Sequence, residues 1–129
     1  MRLRFAQAVR PYPEFPGDPL LDFLVTARGE RADVEVRVRT FDGDGLDSFL
    51  GRLAEDFRGW EGARIWGSVN GDLTLSARHG SGGHVSLTWG LHDQAPDANW
   101  HFEATTVHEA GEDMRGLAAA VSVFLRSSV

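Results

Sequence analysis

The 129-residue sequence contains no cysteine and no lysine, has a single tyrosine, and carries no apolar run long enough to span a bilayer. Without cysteine there is no disulfide framework, no thiolate nucleophile and no zinc–thiolate centre. Without lysine the 13 basic residues are all arginine, and 19 carboxylates outnumber them to a net charge of −6. Nucleic-acid binders concentrate cations against phosphates; here the arginines are scattered, so no nucleic-acid partner is expected. The stretch Met1–Gln7 has two arginines but no apolar signal-peptide core, and with no spanning segment the expectation is a cytoplasmic protein of bacterial type with no membrane partner. An acidic surface suits solubility or a basic protein partner.

What is present reads as an ordinary folded chain. The apolar fraction of 42% and charged fraction of 25% are globular values, and the length predicts one domain over residues 1–129. Leu3, Phe5, Gln7 and Val9 alternate as a first strand. Pro11, Pro13, Pro16 and Pro19 then make residues 1–19 a strand followed by a proline-rich arm. Two alternating runs, Leu21, Phe23, Val25 and Val34, Val36, Val38, form a hairpin around Arg28-Gly29-Glu30. Pairing Val25 with Val34 sets Asp22 opposite Arg37, a favourable charge pair. Asp42-Gly43-Asp44-Gly45 makes a turn in which Asp44 is the expected N-cap of a helix whose stripe is Leu46, Phe49, Leu50, Leu53, Ala54 and Phe57.

Beyond Gly59 four more strands are predicted. Asn70-Gly71 suits a type I′ hairpin placing Trp66 opposite Leu75. The loop 78–84 leads to Val85, Leu87, Trp89 and Leu91, whose expected partners are Ala77 for Val85 and Trp100 and Phe102 for Leu91 and Trp89. A last helix over 112–127 is apolar around more than half its circumference and is expected to be buried more deeply than the first. At a constant spacing of 68 residues Val34, Val36 and Val38 fall on Phe102, Ala104 and Thr106, Gly43 on Gly111, and Phe57 on Leu125, which suggests an internal repeat. The expected architecture is α+β: one largely antiparallel sheet of six to seven strands with two helices on one face, in the order βββα-ββββα.

Several stretches resemble a known family: Phe57-Arg58-Gly59-Trp60-Glu61-Gly62, Trp66, Gly71-Asp72-Leu73-Thr74-Leu75-Ser76-Ala77, Gly83-His84-Val85, Trp100 and Glu109-Ala110-Gly111-Glu112. They are similar to a family of small actinobacterial proteins classed as a domain of unknown function. The resemblance covers most of the chain beyond the proline-rich arm and implies a bacterial cytoplasmic setting, with no activity to carry over.

Candidate chemistry is sparse. The five histidines, His79, His84, His92, His101 and His108, share no helix and form no His-Glu-x-x-His pattern, so no metal and no cofactor is assigned. Gly80-Ser81-Gly82-Gly83 joins two strands instead of opening a helix and reads as a hairpin loop, not a phosphate cradle. Ser81 near His84 lacks a nucleophile elbow and an orienting carboxylate, and no catalytic residue is assigned. The expected registers gather Thr74, Ser76, Ser86, Thr88, His101, Glu103 and Thr105 on an outer sheet face, while Leu20 and Leu24 point outward beside Arg37 and Arg39 as an interface rim. The favoured function is a non-catalytic module, immunity-like or antitoxin-like, that binds a protein partner or itself. The alternative is a small-molecule binder or hydrolase with a pocket between sheet and helices around Trp60, Trp66, His84 and His101.

Overall fold

The computed structural model describes residues 1–97 and 99–128. Along the chain run β1 (Arg2–Val9), β2 (Leu20–Arg28), β3 (Asp33–Phe41), α1 (Leu46–Glu55), β4 (Ala63–Gly67), β5 (Leu73–Gly80), β6 (His84–Asp93), β7 (Trp100–Glu109) and α2 (Glu112–Leu125). The class is α+β and the order is βββα-ββββα, as expected. The strands, however, form two antiparallel sheets, β1-β2-β3 and β4-β5-β6-β7, and not one of six to seven strands. Each sheet has a single apolar face. Leu21, Phe23, Val25 and Ala27 on one, and Leu73, Ala77, Val85, Leu87 and Leu91 on the other, are completely buried in one hydrophobic cluster. Two sheets that bury their apolar faces in a shared core, with helices filling in, need no further edge pairing.

Aromatic rings join the layers. Phe5 of β1 stacks on Phe23 of β2 at 5.4 Å, and meets Trp89 of β6 and Phe124 of α2 edge-on at 5.8 Å each. Phe23 and Phe124 are also edge-to-face, at 5.6 Å. Phe5 faces inward as alternation predicts, but Gln7 and Val9 do not continue the pattern. A bulge between Ala6 and Val9, with Gln7 at φ 57, flips the phase so that Ala8 is buried and Gln7 exposed.

Three of the four hairpin registers lie two residues from the expected ones. In β2–β3 the partners are Val25 and Val36, Phe23 and Val38, and Leu21 and Thr40. The strands part at Arg28 and Asp33, leaving a four-residue loop, 29–32, closed by the Gly29 N–H to the Ala32 carbonyl at 2.8 Å. A slip by an even number preserves which face is apolar but changes every cross-strand partner. Asp22 therefore meets Arg39 instead of Arg37. It is only 4% exposed and accepts two hydrogen bonds of 2.9 Å from Nε and Nη2 of Arg39, which hold that guanidinium's pKa above its ordinary value.

The same slip pairs Ala77 with Leu87, Leu91 with Phe102 and Trp89 with Ala104. Between β5 and β6 its source is the loop, which shrinks to residues 81–83 because Gly80 and His84 still pair; between β6 and β7 the strands part at Asp93 and Trp100. Trp100 consequently lies at the sheet end opposite Asp93, partly exposed and not in the core. The β4–β5 register matches expectation, with Trp66 opposite Leu75, although its turn is not type I′. The Gly71 N–H donates to the Ser68 carbonyl at 2.9 Å, and Gly71 takes a left-handed φ of 75° while Asn70 does not.

At Asp42-Gly43-Asp44-Gly45 all four residues have positive φ (51°, 87°, 51° and 73°), which explains the composition: Asp and Gly tolerate the left-handed region best. Asp44 does not cap α1 with its side chain; Gly45 is the N-cap. The Asp44 carboxylate instead accepts the Phe41 N–H at 3.1 Å and the Val69 N–H at 2.8 Å, and its carbonyl accepts Trp66 Nε1 at 2.8 Å. One residue thereby ties the end of the first sheet to the first hairpin of the second.

Helix α1 ends at Glu55, so Phe57, expected on its buried stripe, is 50% exposed. α2 buries fewer residues than α1, contrary to expectation: Met114, Val121 and Leu125 are buried and Val123 is 65% exposed. It lies beside α1 and packs mainly on the edge strands β1 and β7, with Phe124 reaching in to Phe23 of β2, so part of its apolar circumference stays outside. The helices run antiparallel. A Cβ on Gly43 would come within 2.7 Å of the Leu125 side chain, and one on Gly111 within 3.6 Å of Phe57 Cβ, so each strand-to-helix turn receives the end of the other helix.

Two outcomes follow for stability. Asp44→Ala removes two hydrogen bonds and the tolerance of positive φ, and should cost about 2–3 kcal/mol in denaturant melts, with Asp44→Asn keeping part of it. Asp72, half-buried beside Arg39, has its carboxyl pKa raised above 3.8, first by burial and secondarily by Asp93, against a backbone hydrogen bond from Arg39. A raised carboxyl pKa means the folded state binds the proton more tightly, so the ionised group destabilises above its folded pKa and is neutral in its effect below 3.8. Asp72→Asn should therefore stabilise the protein at pH 7 and lose that gain in acid, as followed by thermal unfolding across pH.

Candidate functional site

The residues singled out in the sequence divide among three places. Thr88, His101 and Glu103 lie on the outer face of the β4–β7 sheet. Row by row across β5, β6 and β7 that face carries Arg78, Ser86 and Val107; Ser76, Thr88 and Thr105; and Thr74, Gly90 and Glu103, ending in His92 and His101. The polar patch thus assembles despite the altered registers, since a two-residue slip keeps the face. Thr88 and Thr105 share a hydrogen bond of 3.0 Å, His92 and His101 stack at 5.4 Å, and His101 Nε2 is 3.9 Å from Glu103.

Thr74 Oγ1 reaches His92 Nε2 at 2.9 Å, and the bond passes over Gly90, which separates them. A Cβ at Gly90 would collide with Thr74 Oγ1 and come within 2.7 Å of His92 Nε2, so glycine is what lets the pair close. Gly90→Ala should break the Thr74–His92 bond, unstack His92 from His101 and cost about 1–3 kcal/mol; histidine ring NMR shifts and a chemical melt check both parts.

Trp60, Trp66 and His84 are elsewhere. Trp66 points into the core, 8% exposed, with its N–H on Asp44. Trp60 donates its N–H to the Ala77 carbonyl at 3.2 Å, packs edge-on to His79 at 5.4 Å and lies under Arg64, whose guanidinium is 4.7 Å from the ring centre and ion-paired to Asp56 at 2.6 Å. His84 is exposed at the start of β6, eight residues along the strand from the partner of His101, roughly 27 Å at strand rise. These four do not enclose a common pocket. Among the described residues no group of three His, Asp or Glu side chains converges as metal ligands would.

The third place is the outer face of the β1–β3 sheet. Its rows are Leu20 and Phe41; Val9, Asp22 and Arg39; Ala6, Leu24 and Arg37; Arg4, Thr26 and Glu35; and Arg2, Arg28 and Asp33. All four interface residues read from the sequence, Leu20, Leu24, Arg37 and Arg39, fall on it. Arg39 is occupied by Asp22, whereas Arg2, Arg4 and Arg37 form no ion pair among the described residues. A depression of about 520 Å³ opens between Arg2, Arg4, Leu24, Thr26 and Arg28.

The proline-rich arm extends this face. Arg10 anchors it, with Nη1 3.2 Å from the carbonyls of Pro19 and Leu20 and 2.6 Å from Asp42. Tyr12 then sits against the Arg39 guanidinium at 5.9 Å, and Phe15, 62% exposed, shares a depression of about 490 Å³ with Tyr12 and Leu20. Tyr12 and Phe15 beside Leu20 were not legible as a group, because their meeting depends on how the arm folds back; Phe41 comes beside Leu20 through the corrected register.

Among the described residues no helix is long and apolar enough to cross a membrane. No curated protein and no solved structure matches the chain. A family model does, over residues 1–128, and so takes in the proline-rich arm that the resemblance described above left aside. The chain belongs to that family, a family of unknown function, DUF6228.

Proposed function

We propose that this chain is a non-catalytic protein-binding module, and that it receives an acidic segment of a partner protein on the outer face of the β1–β3 sheet. The observation that carries the reading is the coincidence, on one face, of three arginines without carboxylate partners among the described residues and a set of exposed aromatic and aliphatic side chains. Arg and aromatic residues are the types enriched at protein interfaces, where they combine contact area with directional hydrogen bonds. The charge distribution selects the partner. Residues 1–41 hold seven arginines against six carboxylates, and residues 42–129 hold six against 13, so the chain's surplus negative charge lies outside this part. An acidic partner is steered to the arginines and repelled by the rest. Covering a partner in this manner is how an immunity-like or antitoxin-like protein would act in a bacterial cytoplasm, and it requires no reactive group.

The test is co-purification from native lysate, in parallel for the wild type and the Arg4→Glu/Arg37→Glu variant, with light scattering to report self-association. The reading expects an acidic protein retained by the wild type, released by about 0.5 M salt, where screening acts within roughly 4 Å, and not retained by the variant. Retention of the same proteins by both, or a wild type that elutes alone, would sink it. Phe41→Ala should weaken retention several-fold without changing salt dependence, since it removes contact area and no charge.

A further inference from the structure

The inner surface holds a second feature, independent of the arginine face. A cleft of about 290 Å³ opens between β1, the sheet of β6 and β7, and α2, walled by the rings of Phe5, Trp89 and Phe124 and rimmed by Ala120. Its polar end is a chain of three side chains. Trp89 Nε1–H donates to Thr106 Oγ1 at 3.0 Å, and Thr106 Oγ1 lies 2.8 Å from His108 Nε2. Asp113 Oδ2 stands 3.6 Å from His108 Nδ1 and is itself fixed by the Glu109 N–H at 3.0 Å. With the histidine proton assigned to Nδ1, on the side of that carboxylate, Nε2 accepts the Thr106 hydroxyl proton.

The bookkeeping at Thr106 Oγ1 decides what the cleft accepts. The hydroxyl gives its proton to His108 and takes one hydrogen bond from Trp89, so one lone pair remains for a ligand. A ligand must bring a donor. A carbonyl finds no free proton here, and a carboxylate would in addition face Asp113. The positions 68 residues earlier, Val38 and Thr40, are fully buried, with Thr40 Oγ1 satisfied internally by the Leu21 carbonyl at 2.9 Å and the Gly43 N–H at 2.8 Å. The corresponding place in the first half is therefore closed, whereas Thr106 and His108 line a cavity. For scale, an apolar cavity of about 150 Å³ holds benzene.

We infer that this cleft is a binding site for a compact, uncharged, apolar molecule carrying one hydroxyl or other hydrogen-bond donor, seated against Phe5, Trp89 and Phe124 with its donor on Thr106. The probes are 2-phenylethanol, ethylbenzene and acetophenone, titrated into the full chain while the Trp89 indole N–H resonance is followed by NMR. The alcohol should bind at least tenfold more tightly than the hydrocarbon and the ketone. Thr106→Val should reduce that preference to within about twofold, Thr106→Ser should restore it, and Ala120→Phe at the rim should abolish binding of all three while circular dichroism stays native. No response of the Trp89 resonance to any probe, a preference that survives Thr106→Val, or one that Thr106→Ser fails to restore would overturn the inference.

Discussion

The structure depends on the contact made by Phe5. This single ring touches a strand of its own sheet through Phe23, the opposite sheet through Trp89 and the second helix through Phe124. Edge-to-face and offset ring pairs add directional energy to the area they bury, so they fix orientation as well as distance. β1 is an edge strand, and its bulge redirects the chain after Ala6, placing Ala8 inward and freeing the following residues to cross the sheet as the proline-rich arm. The same strand thus supplies the wall of the cleft on its inner side and Arg2 and Arg4 on its outer side. Both proposed surfaces inherit their shape from how β1 is held.

Much of this architecture was legible in the residue order, and what was lost was lost for identifiable reasons. Alternation located every strand, because one face of each is apolar, and outside the β1 bulge it assigned inward and outward residues that a two-residue slip leaves intact. Register itself was not legible. The loop at 29–32 and the loop at 81–83 are closed by backbone hydrogen bonds and glycine geometry that composition does not encode. The charge match of Asp22 with Arg37 was as plausible on paper as the real one with Arg39, since both arginines lie on one face. Partition into two sheets was likewise hidden: alternation says which face is apolar, but not which other face will cover it.

The site residues tell the same story. Thr88, His101 and Glu103 were read together and lie together, because their grouping needs only strand parity. Trp60, Trp66 and His84 were grouped by residue type, and the fold sends them to a sheet end, the core and a hairpin tip. The cleft had a faint signal. Thr106 and His108 occupy inward positions of β7 where Phe102 and Ala104 are apolar, and polar side chains at inward positions ask for a partner or a purpose. Thr106 meets Trp89 and His108 across distances that only the final register and the placement of α2 set.

The reciprocal seating of the helix ends has a consequence for how the protein comes apart. Leu125 rests over Gly43 and Phe57 over Gly111, so the turn that launches each helix is covered by the far end of the other. Neither half covers its own strand-to-helix turn alone. Fraying of α2 from its end would expose the left-handed turn that Asp44 anchors, and through Trp66 would reach the hairpin of the second sheet. Opening at one helix end therefore uncovers a turn of the other half, which couples local opening across the two sheets.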